Sequence, residues 1–191
     1  TLTPIRFFHD APQGPEATGV TGYKGFFYHF LDMKTGHRFG TTELSTVDTA
    51  LLLGGMLFAA RYFDGEDAGE TEIRQKAQAI YDRVEGDWAV VRPNLISMGW
   101  HPETVHIPHD WHVYNEGMIV LLLAMGSETH PVAPEVWEEW CSVYGDSWTD
   151  AYGTPHLHFA PMFGHNAGQL VDFWIRKLDA EDQAFAQPTA S

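Results

Sequence analysis

A single cysteine, Cys141, stands among 191 residues, so the chain can build neither an internal disulfide nor a Cys-rich zinc site. Basic residues are also scarce: 11 Lys+Arg face 26 Asp+Glu, a formal net charge of −15. A polyanion needs a positive face to bind, which argues against nucleic acid or an anionic membrane surface as partner. No apolar run approaches the ~20 residues of a membrane-crossing helix. GxSxG, P-loop and GxGxxG patterns are absent. Neither an initiator Met nor a signal peptide opens the chain, so the true N-terminus is expected to be missing or processed, and targeting says nothing of compartment. Against these absences stand 44% hydrophobic and 14% aromatic residues, too much apolar surface for a disordered chain. The remainder reads as one acidic, aromatic-rich domain suited to a neutral ligand.

No internal repeat is visible. The first 24 residues read as a loop region, with Pro/Gly-rich Ala11 to Gly22 at its centre, and Ala184 to Ser191 reads as a frayed tail. Between them two kinds of helix alternate. Thr46 to Tyr62 and Asn115 to Met125 are apolar nearly all round, the pattern of helices buried on all sides. Gly69 to Val84 and Pro134 to Tyr144 are amphipathic, with Ile73, Ala77, Ile80 and Val84 on one face of the former. Ala167 to Ile175 is a third apolar candidate. Inner and outer helices in alternation imply concentric layers, and successive αα-hairpins put the N-termini of the inner helices at one end. The loops entering that end are long and ring-rich. Phe26 to Met33 and His37 to Phe39 flank a Lys34-Thr35-Gly36 turn as a short hairpin; Leu95 to Trp111 contains a further pair of strands; Ala151 to His165 leads to the third helix. Such loops at one end of a helical barrel would form a substrate cleft.

Several carboxylates fall at that end. Glu43 lies just before the first inner helix, as a cleft group or a solvated loop carboxylate. Asp48 fits a capping box from Ser45, with cleft chemistry as its alternative. Glu116 is expected in the first turn of the second inner helix. It either serves the helix dipole or, enclosed by apolar neighbours, acts as a general acid. Asp32 either reaches the cleft or caps the Lys34-Thr35-Gly36 turn. Two carboxylates among aromatic rings suit glycosidic bond cleavage, one protonating the leaving oxygen, the other activating water or attacking the anomeric carbon. Tyr28, Trp100 and Trp111 are candidate sugar platforms, with core packing as the alternative for each. Tyr114, His101 and His165 are candidates for sugar hydroxyls. His101, His106, His109 and His112 crowd one loop, and His156, His158 and His165 another, but Pro102 and Pro108 and the spacing fit no known metal motif. No metal and no cofactor is expected. Cys141 has no His–Asp context for a nucleophile.

The segments GFFYHFLDM (Gly25 to Met33), TELSTVDTALLL (Thr42 to Leu53), Ser97-Met98-Gly99-Trp100, Tyr114-Asn115-Glu116, SETHP (Ser127 to Pro131) and Gly164-His165, in this order, resemble the bacterial glycoamylase-like family. That family includes endo-β-1,2-glucanases and the transglycosylating part of cyclic β-1,2-glucan synthases. The resemblance, from about Gly25 to Phe173, implies an all-α (α/α)6 toroid, here incomplete at about half. It also implies a glucan substrate, a periplasmic or secreted location, and Glu43 and Glu116 as the acidic pair; the expected enclosure of Glu116, not the resemblance, makes it the preferred acid. Phe39-Gly40-Thr41-Thr42 before ELS, and Asp172-Phe173-Trp174-Ile175, depart from the family pattern. The whole chain, 1–191, is expected to be one such domain fragment, its inner helices covered by self-association or by missing segments. Hydrolysis of β-glucan, with β-1,2 as the expected linkage, is the leading expectation. Transglycosylation, a non-catalytic glycan-binding module and, more remotely, a histidine-bound metal enzyme are its rivals.

Overall fold

The computed structural model describes residues 1–158. Chain order is α1 (Leu2–Asp10), β1 (Gly22–Tyr23), β2 (Phe26–Tyr28), β3 (Leu44–Ser45), α2 (Thr46–Tyr62), α3 (Ala68–Asp82) and a 3-10 turn (Asp87–Ala89). There follow β4 (Val90–Arg92), β5 (Leu95–Ser97), β6 (Gly99–His101), β7 (Val105–His106), β8 (Asp110–Trp111), α4 (Met118–Met125), α5 (Glu135–Ser142), α6 (Tyr144–Ser147), β9 (Trp148–Thr149) and β10 (His156–Leu157).

The helices begin where their caps dictate. Ser45 Oγ accepts the Asp48 backbone N–H and donates to Asp48 Oδ2, an N-cap in which the Asp48 carboxylate meets the capping hydroxyl rather than the backbone N–H of a full capping box. Asp67 Oδ1 accepts from the N–H groups of Gly69 and Glu70 to open α3. Helix α2 packs on both α3 and α4, burying Ala50, Leu53 and Met56 against Ile73, Ala77, Ile80, Val120 and Leu121. Each fully buried Leu or Ile stabilises the fold by roughly 1.5–3 kcal/mol. A cavity of about 30 Å³ between these helices, lined by Leu53, Val120 and Leu123 among others, holds about one water and no sugar. Among the described residues no helix is long and apolar enough to cross a membrane.

The described residues do not form an all-α toroid. Besides the helices they carry a five-stranded sheet in the order β1-β2-β3-β6-β7, a three-stranded sheet β4-β5-β8 and the pair β9-β10. The short strands were expected as separate hairpins within loops. Instead β3 pairs antiparallel with both β2 and β6, so the loops leading into α2 and α4 are stitched into one layer. Aromatic and β-branched runs such as Phe26-Phe27-Tyr28 fit a buried sheet, and every residue of β2 is buried.

Other expectations shift too. Residues 1–24 open with α1, which lays Ile5 into the core and ties Arg6 to Glu72 of α3. Helix α2 matches its expected span but is not buried all round: Leu51, Phe58 and Tyr62 are exposed along one stripe. Helix α4 starts at Met118 rather than Asn115. Around Lys34-Thr35-Gly36 the expected hairpin is reduced to one bridge, Leu31 with Arg38. The helix expected at Ala167 to Ile175, the tail and His165 lie outside the described residues.

Candidate functional site

The site is built from the register of the large sheet. Phe27 faces Ser45 and Tyr28 faces Leu44; one step on, the His29 N–H donates to the Glu43 carbonyl at 2.9 Å. His29 and Glu43 are therefore a cross-strand pair on one face. Their side chains meet, Nδ1 to Oε1 at 2.6 Å. The other nitrogen, Nε2, lies 3.6 Å from Asp48 Oδ2. On the opposite side, Leu44 faces Trp100 and Ser45 faces Gly99, a register that places His101 beside Glu43. Gly99 is required there, since a Cβ would lie 2.5 Å from the Leu44 carbonyl oxygen and 3.3 Å from Glu43 Cγ.

Burial alone would raise the Glu43 pKa. The hydrogen bond to His29 and the backbone N–H of Glu43, with the nearby charge of His29 and His101, outweigh it and hold the carboxyl below its ordinary range.

Glu116 is presented differently. Asn115, buried, accepts the Gly117 N–H through Oδ1 at 2.8 Å and donates Nδ2 to the His112 carbonyl at 3.1 Å. That side-chain turn puts Glu116 just ahead of α4 rather than in its first turn. Its Oε2 is buried without a hydrogen-bond partner among the described residues. The Trp111 ring presses on Gly117, where a Cβ would lie 2.5 Å away, while Trp111 Nε1 donates to Thr46 Oγ1 at 2.8 Å. Trp111 thus joins the start of α2, next to Glu43 and Asp48, to the start of α4, next to Glu116.

The remaining candidates divide. Asp32 accepts from Lys34 N, Thr35 N and Thr35 Oγ1; these bonds, the Thr35 backbone first, hold its pKa down, and it serves the turn. Tyr28, Trp100 and Trp111 are 3%, 8% and 7% exposed, so they pack the sheet and cannot offer open faces. Trp100 lies among Tyr23 and Trp88, and the Arg38 guanidinium covers the Tyr28 ring at 4.8 Å. His101 is half-buried with Nδ1 3.4 Å from Arg38 Nη2, and Tyr114 is half-buried. Burial pushes the Cys141 thiol up, away from thiolate chemistry. Among the described residues no group of three His, Cys, Asp or Glu is placed to hold a metal ion.

Four contributors escaped the sequence reading. His29 is one. Phe30, stacked on His29 at 4.3 Å, and Phe39, whose N–H donates to the Phe30 carbonyl, are each 57% exposed; Phe30 is an open ring beside the His29–Glu43 pair, and Phe39 is tied to it through the backbone. Arg38, its side chain 1% exposed, clamps Glu103 through Nη1 at 2.7 Å and donates Nε to the Thr42 carbonyl at 2.8 Å, fixing the approach to Glu43. The run Tyr28-His29-Phe30 held the signal, but only a known register pairs His29 with Glu43.

The comparisons point in one direction. The model described as "Putative glucoamylase" matches residues 108–187. Over that stretch the chain is similar to the glycoamylase family. A curated relative, the exo β-1,2-glucooligosaccharide sophorohydrolase (non-reducing end) of Parabacteroides distasonis, is 28% identical over 141 residues, 66% of this chain. Among solved structures, a "putative glucoamylase" from Bacteroides uniformis is 25% identical with TM-score 0.63, covering 73% of this chain. The endo-β-1,2-glucanase of Chitinophaga pinensis, solved with sophorotriose and glucose, is 22% identical with TM-score 0.64, covering 82%; it shares the fold. The chain spans 20% of the length of the curated relative and 34% and 37% of these two structures. As in the sequence resemblance, the glycoamylase-like relatives include enzymes named for β-1,2-glucan cleavage.

Proposed function

We propose that this glycoamylase-like chain carries part of the active site of a glycoside hydrolase acting on β-glucan, β-1,2-linked by analogy with the relatives' names. The observation that supports the reading is a pair of carboxylates in unlike settings, at the starts of α2 and α4 that the Trp111–Thr46 hydrogen bond links: Glu43, hydrogen-bonded to an imidazole, and Glu116, with a buried oxygen that has no partner among the described residues. Unequal environments are what separates an acid from a base in glycosidases.

In this reading Glu116 is the general acid. It gives a proton to the glycosidic oxygen as the bond from the anomeric carbon to that oxygen breaks. Glu43 takes a proton from water as the water oxygen bonds to the same carbon, or attacks that carbon itself before water follows. Carboxyls ~6.5–9.5 Å apart favour the first course and ~5–5.5 Å the second, so the anomer of the first product distinguishes them. Phe30 and Phe39 offer the apolar face of a glucosyl ring its stacking surface.

The test is incubation with linear β-1,2-glucan, β-1,3-glucan and starch, with product anomers followed by NMR. New reducing ends from β-1,2-glucan are expected, and both Glu43→Gln and Glu116→Gln should lower the rate by about 10²–10⁴-fold while glucan binding persists. Lengthened or cyclised products without net new reducing ends would make the chain a transglycosylase. Binding without any product, from a chain shown to be folded, would refute the hydrolase and leave a glycan-binding module.

A further inference from the structure

Glu43 is held in a way that its role as a base, which rests on the reading above, does not by itself explain. A carboxylate at the edge of a cleft would ordinarily be left to water. Here one oxygen is engaged by His29 Nδ1 at 2.6 Å, and that imidazole is fixed on three further sides. Its backbone N–H is tied to the Glu43 carbonyl. Its ring face lies on Phe30 at 4.3 Å with an interplanar angle of 11°. Its Nε2 is turned toward Asp48 Oδ2 at 3.6 Å. Asp48 is in turn held by Ser45 Oγ at 2.5 Å, the residue that caps α2. A chain of contacts thus runs from the helix cap through Asp48 and His29 to Glu43.

We propose that His29 is a positioning residue for Glu43, orienting its carboxylate from the sheet side, with Asp48 orienting the imidazole in turn. With Oε1 given to His29, the proton-accepting work falls to Oε2. An imidazole between two carboxylates suits this role because its two nitrogens diverge, so each carboxylate fixes the ring for the other. Asp48 is then more than a helix cap, and the STVD box sets the geometry of the base as well as the start of α2. Phe30 has two tasks: one ring face backs His29, and its exposed part meets sugar.

The titratable and charged groups facing this pair are Asp48 from α2, His101 from β6 and, beyond His101, the Arg38–Glu103 ion pair. The test is a carboxylate ¹³C NMR titration of the full chain without substrate, with Glu43 assigned by Glu43→Gln. His29→Phe keeps a ring on Phe30 but removes both nitrogens; His29→Asn keeps an N–H donor where Nδ1 lies. The Glu43 midpoint should rise by about half a pH unit or more in His29→Phe and return part-way in His29→Asn. An unchanged midpoint in a folded His29→Phe, or the same rise in His29→Asn, would overturn the proposal; should His29→Phe not fold, the ¹⁵N shifts of the wild-type imidazole decide, since Nδ1 must carry the proton facing Glu43. On glucan, His29→Phe should lower kcat about 10- to 100-fold with KM unchanged. A chain that cleaves no glucan would sink the hydrolase reading alone, since the titration needs no turnover.

Discussion

Thr46→Val is the sharpest probe of how the two halves of the site are joined. The exchange keeps shape and β-branching at the first position of α2 and removes only the hydroxyl. That hydroxyl is buried and accepts Trp111 Nε1–H at 2.8 Å, while donating to the Ser97 and Met98 carbonyls, each at 3.0 Å. After substitution the indole N–H, on a residue that is itself buried, has no other partner nearby; a buried donor left unsatisfied costs about 1–3 kcal/mol. The carbonyl side costs less, because Met98 O still accepts the Thr46 backbone N–H at 3.3 Å. The expected loss is about 2–3 kcal/mol, read as a fall in the urea midpoint at constant m-value. A double-mutant cycle with Trp111→Phe isolates the pair, and the coupling should be about 1–2 kcal/mol. A loss below about 0.5 kcal/mol, or no coupling, would refute the idea that this bond fastens the start of α2 to the loop before α4.

Two further outcomes are expected. His106 lies 4.5 Å from the Trp88 ring with Nε2 buried and without a partner among the described residues; burial first, then the charge of Arg92, lowers its pKa against the opposing pull of Asp110. The unfolded chain then binds this proton before the folded one does, so the contribution is whole above about pH 6.5 and is lost as pH falls from there toward the folded value. His106→Phe should flatten the stability profile between about pH 7 and 5 relative to wild type, and parallel urea midpoints across that range would count against the argument. Gly99→Ala should cost about 1–3 kcal/mol, seen as a lower Tm, and should displace Glu43, since the added methyl meets the Leu44 carbonyl and Glu43 Cγ; a variant as stable and as active as wild type would contradict the close approach.

Much of this was legible in the residues, and what was not has a common cause. The limits of α2 follow from Ser45 and an apolar run, signals local to one turn. Asp32 was read with two outcomes, and the turn it accepts from is the one its neighbours spell. The sheet was not legible, because its order depends on pairing between segments far apart, and neither β2 nor β6 states its partner. The same cause explains the rings. Trp100 and Trp111 read equally as platform or core until the sheet covered them, whereas Phe30 and Phe39 became open faces only through the Leu31–Arg38 bridge. His29 looked like one histidine of 11; its meaning lies in a cross-strand register. Helix α4 lost its expected first turn to Asn115, whose side chain competes for the N–H that a helix start leaves free.

The pairing of β3 with β6 closes a loop of roughly fifty-five residues, whereas β1–β2 and β6–β7 are local hairpins. Hairpins form early and long closures late, since the chain loses its freedom before the contacts repay it. The row through Glu43 and the Trp111–Thr46 bond both depend on such closures, so they are expected among the last features to assemble during folding. The Trp111-dependent part of the fluorescence recovery, taken as the difference from Trp111→Phe because the chain has 7 Trp, should therefore lag the return of helical signal, and the final slow step would be the one that completes the candidate site.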